Sequence, residues 1–280
     1  MVFDIESLAS QLGELAGRAS LELLALAIAI YSLSLIVSAV RWLTASKLPY
    51  SGRNVLGAVE SLLVGIFANN ILTFYNIVGE AVRVAWASFR LRVESTRLLA
   101  GALAERASEL PVAFAYLALS TAPIAKVTLV GLIAIPSLKS YAFNMWRAFK
   151  DLASSPQRLL AVLTLSIAIW LMDTLRIVTV AYALGVNIGF TTALGLTVIH
   201  VASRFSPTPA GLGVLEGGFL GYLRLLGVPV SDAILIVLGE RLVSTIIPSA
   251  LGALIVFYRG GLGVLRSALR GATLEGGYGY

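Results

Sequence analysis

Apolar runs long enough to cross a hydrocarbon core of about 30 Å recur along the whole chain, parted by short polar breaks. Leu21 to Val40 is the first full span, closed by Arg41-Trp42, a basic and an aromatic residue of the kind that sits at headgroup level. Ahead of it, residues 1–20 carry Leu8, Leu12 and Leu15 on one helical face, a pattern that suits either an amphipathic helix on the membrane surface or a frayed polar terminus. From Val55 to about Leu72 the chain is apolar again, breaks at Asn69-Asn70 and then at Asn76 and Gly79, and resumes through Arg90. Two short helical pieces around a polar break predict a re-entrant hairpin, permissible only where protein or a water-filled cavity covers the exposed backbone; a single kinked span is the alternative. Ser95 is placed to cap the next span, Arg97 to Ala118. Lys126 to Leu138 makes another, somewhat short. A basic linker with Lys139, Arg147, Lys150 and Arg158 then leads to the long span Leu159 to Leu184.

The remainder repeats the earlier plan. Thr191 to Ala202 is apolar, a break runs from Arg204 to Gly213, and a short helix with Glu216 follows to about Leu226. Ser231 is placed to cap a final span that carries Glu240, Arg241 and Pro248 and ends at Tyr258-Arg259. The segment Glu80, Ser95, Glu105-Arg106, Pro111 matches Glu216, Ser231, Glu240-Arg241, Pro248 with slips of a residue or so, which predicts an internal duplication. One membrane domain over 1–280 then divides into the N-terminal helix 1–20, a first repeat 21–140, a second repeat 157–258 and a basic, Gly-rich tail 259–280. Three crossings separate the two hairpins, so the second must enter from the opposite face. The expected fold is therefore all-α and integral to the membrane, an inverted-topology repeat with two re-entrant helical hairpins and about five full spans.

Composition supports a membrane protein: 58% of residues are hydrophobic and 13% charged, against roughly 25% charged in soluble domains. The excess of 21 Lys and Arg over 15 Asp and Glu is explained by topology and anionic lipid, not by nucleic acid. Cysteine is absent and His200 is the single histidine, so neither a thiolate nor a multi-histidine metal site is expected, and no cofactor is. With the acidic N-terminus outside, the inner loops receive Arg41, Lys47 and Arg53, then Arg90, Arg92 and Arg97, then Lys139 to Arg158, and finally Arg259, Arg266 and Arg270. The outer connections near Thr121, Val186 and Val228 hold few basic residues. This gives a multi-pass protein of the cell membrane with its N-terminus outside and its C-terminus cytoplasmic.

Charge inside the apolar runs carries the chemistry. An ionised side chain at the bilayer centre costs about 2.5–3.5 kcal/mol on insertion scales, so the matched glutamates and arginines of the two halves mark a site. The substrate-binding candidates are Glu80, Arg83, Glu105, Arg106, Arg204, Glu216, Glu240 and Arg241, with Asn70, Asp173, Arg176, Gly211 and Gly213 in support. A guanidinium holds phosphate in a bidentate grip, and half-helices starting near Asn76 and Gly211 would aim backbone amides at an anion. Two pairs, Asp173 with Arg176 and Arg106 with Glu109, have helical spacing and equally suit mutual neutralisation. The glycines of the second break suit a close lipid or a tight helix crossing. Gly-Leu-Gly-Val-Leu-Glu-Gly-Gly is no nucleotide loop, since no Lys-Ser or Lys-Thr follows. His200 suits a polar contact with a neighbouring helix.

The second break, Ser206-Pro-Thr-Pro-Ala-Gly-Leu-Gly-Val-Leu-Glu216, with Gly227-Val-Pro and Gly239-Glu-Arg-Leu after it, resembles the flippase-like membrane family typified by the transmembrane region of lysylphosphatidylglycerol synthase. Arg41-Trp42, Asn69-Asn70-Ile-Leu, Gly79-Glu80-Ala-Val-Arg83 and Glu105-Arg106 stand where that family has similar residues, and the resemblance runs from about Ser38 to Tyr258. Thr73-Phe74-Tyr75 departs from it, in place of the family's usual proline and basic residue, and neither an extra leading span nor the aminoacyl-transferring soluble domain is expected here. The resemblance implies handling of lipids with anionic headgroups, some glycosylated or aminoacylated, and relatives beside polyprenyl-phosphate glycan pathways.

The resulting expectation is a lipid flippase or transporter for phosphate-bearing headgroups, not an enzyme. The alternatives are an intramembrane enzyme acting on a lipid phosphate, a non-catalytic scaffold of a lipid-linked glycan pathway, and a small-solute transporter. Expected partners are an anionic lipid substrate and membrane lipids, with a second copy of the chain or a lipid-glycan enzyme as candidate protein partners.

Overall fold

The computed structural model describes residue 17 and residues 19–71, 77–120, 138–204, 206, 208 and 211–259. Most of the expected surface helix over 1–20, most of the expected span from Lys126, residues 72–76 of the first break, Pro207 and Pro209 of the second, and the tail from residue 260 lie outside the described residues. What is described is all-helical: α1 (Leu21–Ala45), α2 (Gly52–Ile71), α3 (Ile77–Leu91), α4 (Ser95–Leu119), α5 (Leu138–Ala153), α6 (Pro156–Ala183), α7 (Phe190–Ser203), α8 (Val214–Leu225), α9 (Val230–Arg241) and α10 (Ile247–Tyr258). A π-helical turn, Leu242–Ile246, joins the last two into one rod.

Helix starts follow local chemistry, with two corrections. Ser20 caps α1, its Oγ accepting the Leu23 N–H at 3.3 Å. Ser95 and Ser231 do not cap: the N-cap positions are Glu94 and Pro229, both with extended backbone and no side-chain cap bond. Pro229 has no N–H to leave orphaned and a φ already near helical values, so the turn starts two residues earlier than a Ser231 cap would set it. A third correction concerns Arg41-Trp42, expected at headgroup level. α1 runs on to Ala45 and both side chains are buried, Arg41 to 5% and Trp42 to 0% exposure.

By length and composition, α1, α2, α6 and the α9–α10 rod can each cross a membrane. The sequence predicts about five spans. α4 is as long as α1, 25 residues, but Arg97, Glu105, Arg106 and Glu109 lower its hydropathy below that of a simple span. α2, expected as half of a hairpin, is by itself long enough to cross. The basic linker expected over 139–158 is mostly helix α5.

The packing is duplicated. α1 packs on α2 as α6 packs on α7, α2 on α3 as α7 on α8, α3 on α4 as α8 on α9, and α1 on α4 as α6 on α9. α2 crosses α10 in the second half while α7 crosses α4 in the first, so the halves interlock, and α1 and α6 pack along each other at the centre. One apolar core joins α4, α6, α7, α8 and α9 through Tyr116, Trp170, Phe219 and Tyr222, with Tyr116 edge-on to Trp170 at 4.9 Å. A second surrounds Trp42, whose Nε1 donates to the Leu98 carbonyl at 3.1 Å. Leu21, Phe89, Leu225 and Phe257 remain exposed, as apolar residues facing lipid do.

Polar ties mark the two ends. At one end Lys47 pairs with Asp151 at 2.8 Å, Arg97 donates to the Ser46 carbonyl at 2.7 Å, and Glu60 takes both Arg90 and Arg259 at 2.8 Å. These are the segments whose basic residues the charge rule assigns to a common side. Elsewhere the Ser20 N–H donates to the Ala183 carbonyl at 2.8 Å. The α2–α10 crossing is close enough that a Cβ on Gly252 would press into the Leu63 carbonyl.

Gly252→Ala should therefore cost about 1–3 kcal/mol of overpacking, read as a lower melting temperature in detergent. Gly221→Ala, where nothing lies within 4 Å of the new methyl, should leave melting unchanged or raise it.

Candidate functional site

The charged residues of the first half form one connected array. Arg41 on α1 donates Nε to Glu105 at 3.0 Å and Nη2 to Glu109 at 2.9 Å. Its Nη1 reaches Ser166 on α6 at 3.1 Å. Glu105, on α4, passes its other oxygen to Arg83 on α3 at 2.8 Å, and Arg83 also meets Glu80 at 3.2 Å. Arg106 closes the ring, pairing with Glu80 and, at 3.2 Å, with Glu109. The Arg83 guanidinium also lies 3.9 Å over the Trp42 ring, an apolar wall that accepts a cation on its face.

The second half repeats two of these pairs, Arg41–Glu105 and Glu80–Arg106. Arg176 on α6 pairs with Glu240 on α9, and Arg241 pairs with Glu216 on α8 at 2.7 Å. Arg41 and Glu105 are 64 residues apart, as are Arg176 and Glu240. Glu80 and Arg106 are 26 apart, Glu216 and Arg241 25. The two halves thus share two ion pairs at matched or nearly matched separations. Arg176 further holds Asp173 at 3.2 Å one helical turn back. His200 stands between Glu240, at 3.3 Å, and the Nη2 of Arg204, at 3.2 Å.

Both arrays border one cavity of about 170 Å³, far above the 10–15 Å³ or so that admits a single water. Six of the eight substrate-binding candidates line it, namely Glu80, Arg83, Glu105, Arg106, Arg204 and Arg241, together with the supporting Asn70 and Asp173. Glu216 and Glu240 do not: the partly exposed Glu216 holds Arg241, and the wholly buried Glu240 holds Arg176. Arg176, Gly211 and Gly213 are also outside the lining. The glycines instead shape the second break. Gly211 has φ +68°, and a Cβ there would come 2.7 Å from the Ser203 carbonyl; the Gly213 N–H donates to Glu216 at 2.7 Å. On either side of the first break, Asn69 at the end of α2 accepts the Gly79 N–H of α3 at 2.8 Å.

Several lining residues are not among the candidates that the sequence suggests: Arg41, Tyr31, Ser34, Ser38 and the Ser244-Thr245 pair. His200, expected as a plain interhelical contact, also lines the cavity. Ser244 and Thr245 lie in the π turn, and Pro248 has no N–H to offer the turn before it. Tyr31 donates to the Ser244 carbonyl at 3.2 Å, while Asn70 donates to the Thr245 carbonyl at 3.5 Å and to the Ser249 hydroxyl. Both are first-half residues, so the two halves meet across the cavity. π turns of this kind interrupt helices where function needs irregular backbone.

Chemically, five arginines face four carboxylates in the lining: Arg41, Arg83, Arg106, Arg204 and Arg241 against Glu80, Glu105, Glu109 and Asp173. Such a wall suits an anion that exchanges places with a carboxylate at a guanidinium. Among the described residues no cluster of three or more His, Cys, Asp or Glu side chains could hold a metal ion.

Known proteins give two further findings. The profile of the lysylphosphatidylglycerol synthase TM region matches residues 2–252. A UPF0104 membrane protein of Pyrococcus horikoshii is 26% identical over 293 aligned residues, which cover 85% of this chain and 88% of that one. No solved structure matches the chain.

Removing one partner of a buried ion pair strands the other, at about 3–5 kcal/mol. Arg176→Met should therefore destabilise the protein by that order, and the double change with Glu240→Gln should recover part of it. Equal melting temperatures for the single and double variants would show that the two side chains are not coupled.

Proposed function

We propose that this chain, which belongs to the family of the lysylphosphatidylglycerol synthase TM region, is a lipid flippase or transporter for headgroups that carry a phosphate. The observation behind this reading is that arginines of both halves, Arg83 and Arg106 from one and Arg204 and Arg241 from the other, line one cavity together with the carboxylates Glu80, Glu105, Glu109 and Asp173. An anionic headgroup enters that space and takes over guanidinium contacts that Glu80 and Glu109 make in its absence, in the bidentate geometry that arginine offers phosphate. The cavity accommodates a headgroup but not acyl chains, which stay in the bilayer as the headgroup crosses.

The transport reading includes an inverted-topology repeat, with α2–α3 and α7–α8 as re-entrant hairpins that enter from opposite faces. Three observations support it. The α2 residue Glu60 binds Arg90 near the end of α3, so the first hairpin begins and ends near one level. Val228, just after α8, packs in the same core as Val186 and Ile188, just before α7. Arg41–Glu105 joins α1 to α4 as Arg176–Glu240 joins α6 to α9, at the same separation of 64 residues. The surplus of basic residues at the end shared by Lys47, Arg97, Arg90 and Arg259 makes that end cytoplasmic, in the cell membrane, with the N-terminus outside. Glutamates such as Glu80 hold the arginines when the site is empty.

Reconstitution in liposomes with labelled anionic phospholipid tests the activity. Arg106→Ala and Arg241→Ala should each slow lipid movement by roughly tenfold, the worth of a lost charge-assisted contact. Movement equal to that of the unaltered protein would contradict the proposal, and release of a modified headgroup would turn the reading toward an enzyme. The hairpins are tested separately, and the cysteine-free chain makes single-cysteine labelling clean. Ser51→Cys and Glu94→Cys should react with an impermeant maleimide from one side, Asn187→Cys and Leu226→Cys from the other. Labelling of either pair from both sides would break the inverted arrangement.

A further inference from the structure

Helix α5 belongs neither to the duplicated unit nor to the cavity. Its residues Met145, Ala148, Phe149 and Leu152 fall at helical spacing and turn inward; Leu152 is 1% exposed and sits with Ala45, Ala104 and Val162 of α1, α4 and α6. The Lys47–Asp151 pair fastens the same helix to the end of α1. A soluble helix with one stripe buried would show a polar opposite face. On α5 that face is mixed: beside the exposed Asn144, Arg147, Lys150 and Asp151, Phe143 and Trp146 are 54% and 55% exposed, at the spacing of one turn. Cations lie directly over them, Arg147 at 4.3 Å from the Phe143 ring and Lys150 at 5.5 Å from the Trp146 ring.

Aromatic rings with guanidinium and ammonium groups on them, on a 16-residue helix too short and too charged to cross a membrane, describe a surface made for a headgroup layer. Rings enter the boundary between headgroup and acyl chain, and the charged ends reach phosphates. We propose that the outward face of α5, built from Phe143, Trp146, Arg147 and Lys150, is a docking surface for the anionic lipid leaflet, on which α5 lies flat. The positive charge selects anionic over zwitterionic lipid, and the other basic residues at this end, including Lys47 and Arg97, extend the same field. Since α5 packs on α4, which carries Glu105, Arg106 and Glu109, the docked helix fixes the depth of the cavity and gathers anionic lipid beside it. The docking itself does not rest on the transport reading.

The protein holds its own probe. Of four tryptophans, Trp42, Trp86 and Trp170 are at most 2% exposed, and Trp146 alone is open. The full chain is reconstituted in bilayers that contain brominated phosphatidylglycerol or, at equal mole fraction, brominated phosphatidylcholine. Brominated lipid should quench tryptophan emission, and Trp146→Phe should remove the quenchable component. Phosphatidylglycerol should quench it more than phosphatidylcholine by roughly twofold or more. Added salt should shrink that preference, and the double substitution Arg147→Glu/Lys150→Glu should abolish it while general quenching persists. Two results would overturn the proposal: no lipid quenching beyond that of Trp146→Phe, as expected if a second copy or a protein partner covers the face, or quenching with no preference for the anionic lipid.

Discussion

An ionised side chain surrounded by hydrocarbon must find a counter-charge or lose its charge, and this constraint organises the whole molecule. Arg41, Glu105 and Arg176 are nearly or wholly buried, and each is held by a partner from another helix. Such pairs are weak contributors to stability, because desolvation offsets most of their attraction. Their presence in numbers around one cavity is what the proposed transport role accounts for. Apolar side chains would fill the same volume at no electrostatic cost.

Duplication turns that constraint into a site. Each half supplies an arginine on its first long helix, a glutamate on its short helix after the break, and a Glu-Arg pair on the helix that follows; the first arginine pairs with the Glu of that pair and its Arg with the glutamate after the break. The halves then interlock by crossing α2 with α10 and α7 with α4. Interlocking places two self-neutralised arrays face to face, so the space between them is polar yet close to balanced in charge. The Pro248 and π-turn irregularity lies at this junction, where Tyr31 and Asn70 of the first half satisfy backbone carbonyls of the second. A backbone that depends on side chains of the other half for its hydrogen bonds links the arrangement of one half to that of the other.

Much of this is legible in the sequence. The apolar runs predict an all-helical membrane protein, and the Glu-Arg repeat points to the residues that meet at the cavity, because a charge inside an apolar run is costly and persists where it is paired or used. Arg41 is not legible for a physical reason: a basic residue beside tryptophan at the edge of an apolar run has the same local pattern whether the helix stops there or continues buried to Ala45. The separation of 64 residues shared by Arg41–Glu105 and Arg176–Glu240 is the signal that finds it. Ser95 and Ser231 match a cap preference that the neighbouring Glu94 and Pro229 backbones override. α5 reads as a linker because its charges mask the helical spacing of Phe143, Trp146, Arg147 and Lys150. Roles of front and rear carboxylates, Glu80 against Glu216 and Glu240, depend on tertiary packing that spacing does not encode.

On the proposed reading, the paired arginines of the two halves hold a phosphate-bearing headgroup in the shared cavity. Native mass spectrometry of the protein released from its membrane reads that occupancy without any assumption about direction or energy source. The unaltered chain should retain anionic phospholipid over zwitterionic lipid of equal chain length, and Arg83→Gln with Arg204→Gln should lose that selectivity while the fold persists. Identical lipid retention by the two proteins, or retention without regard to headgroup charge, would contradict the account.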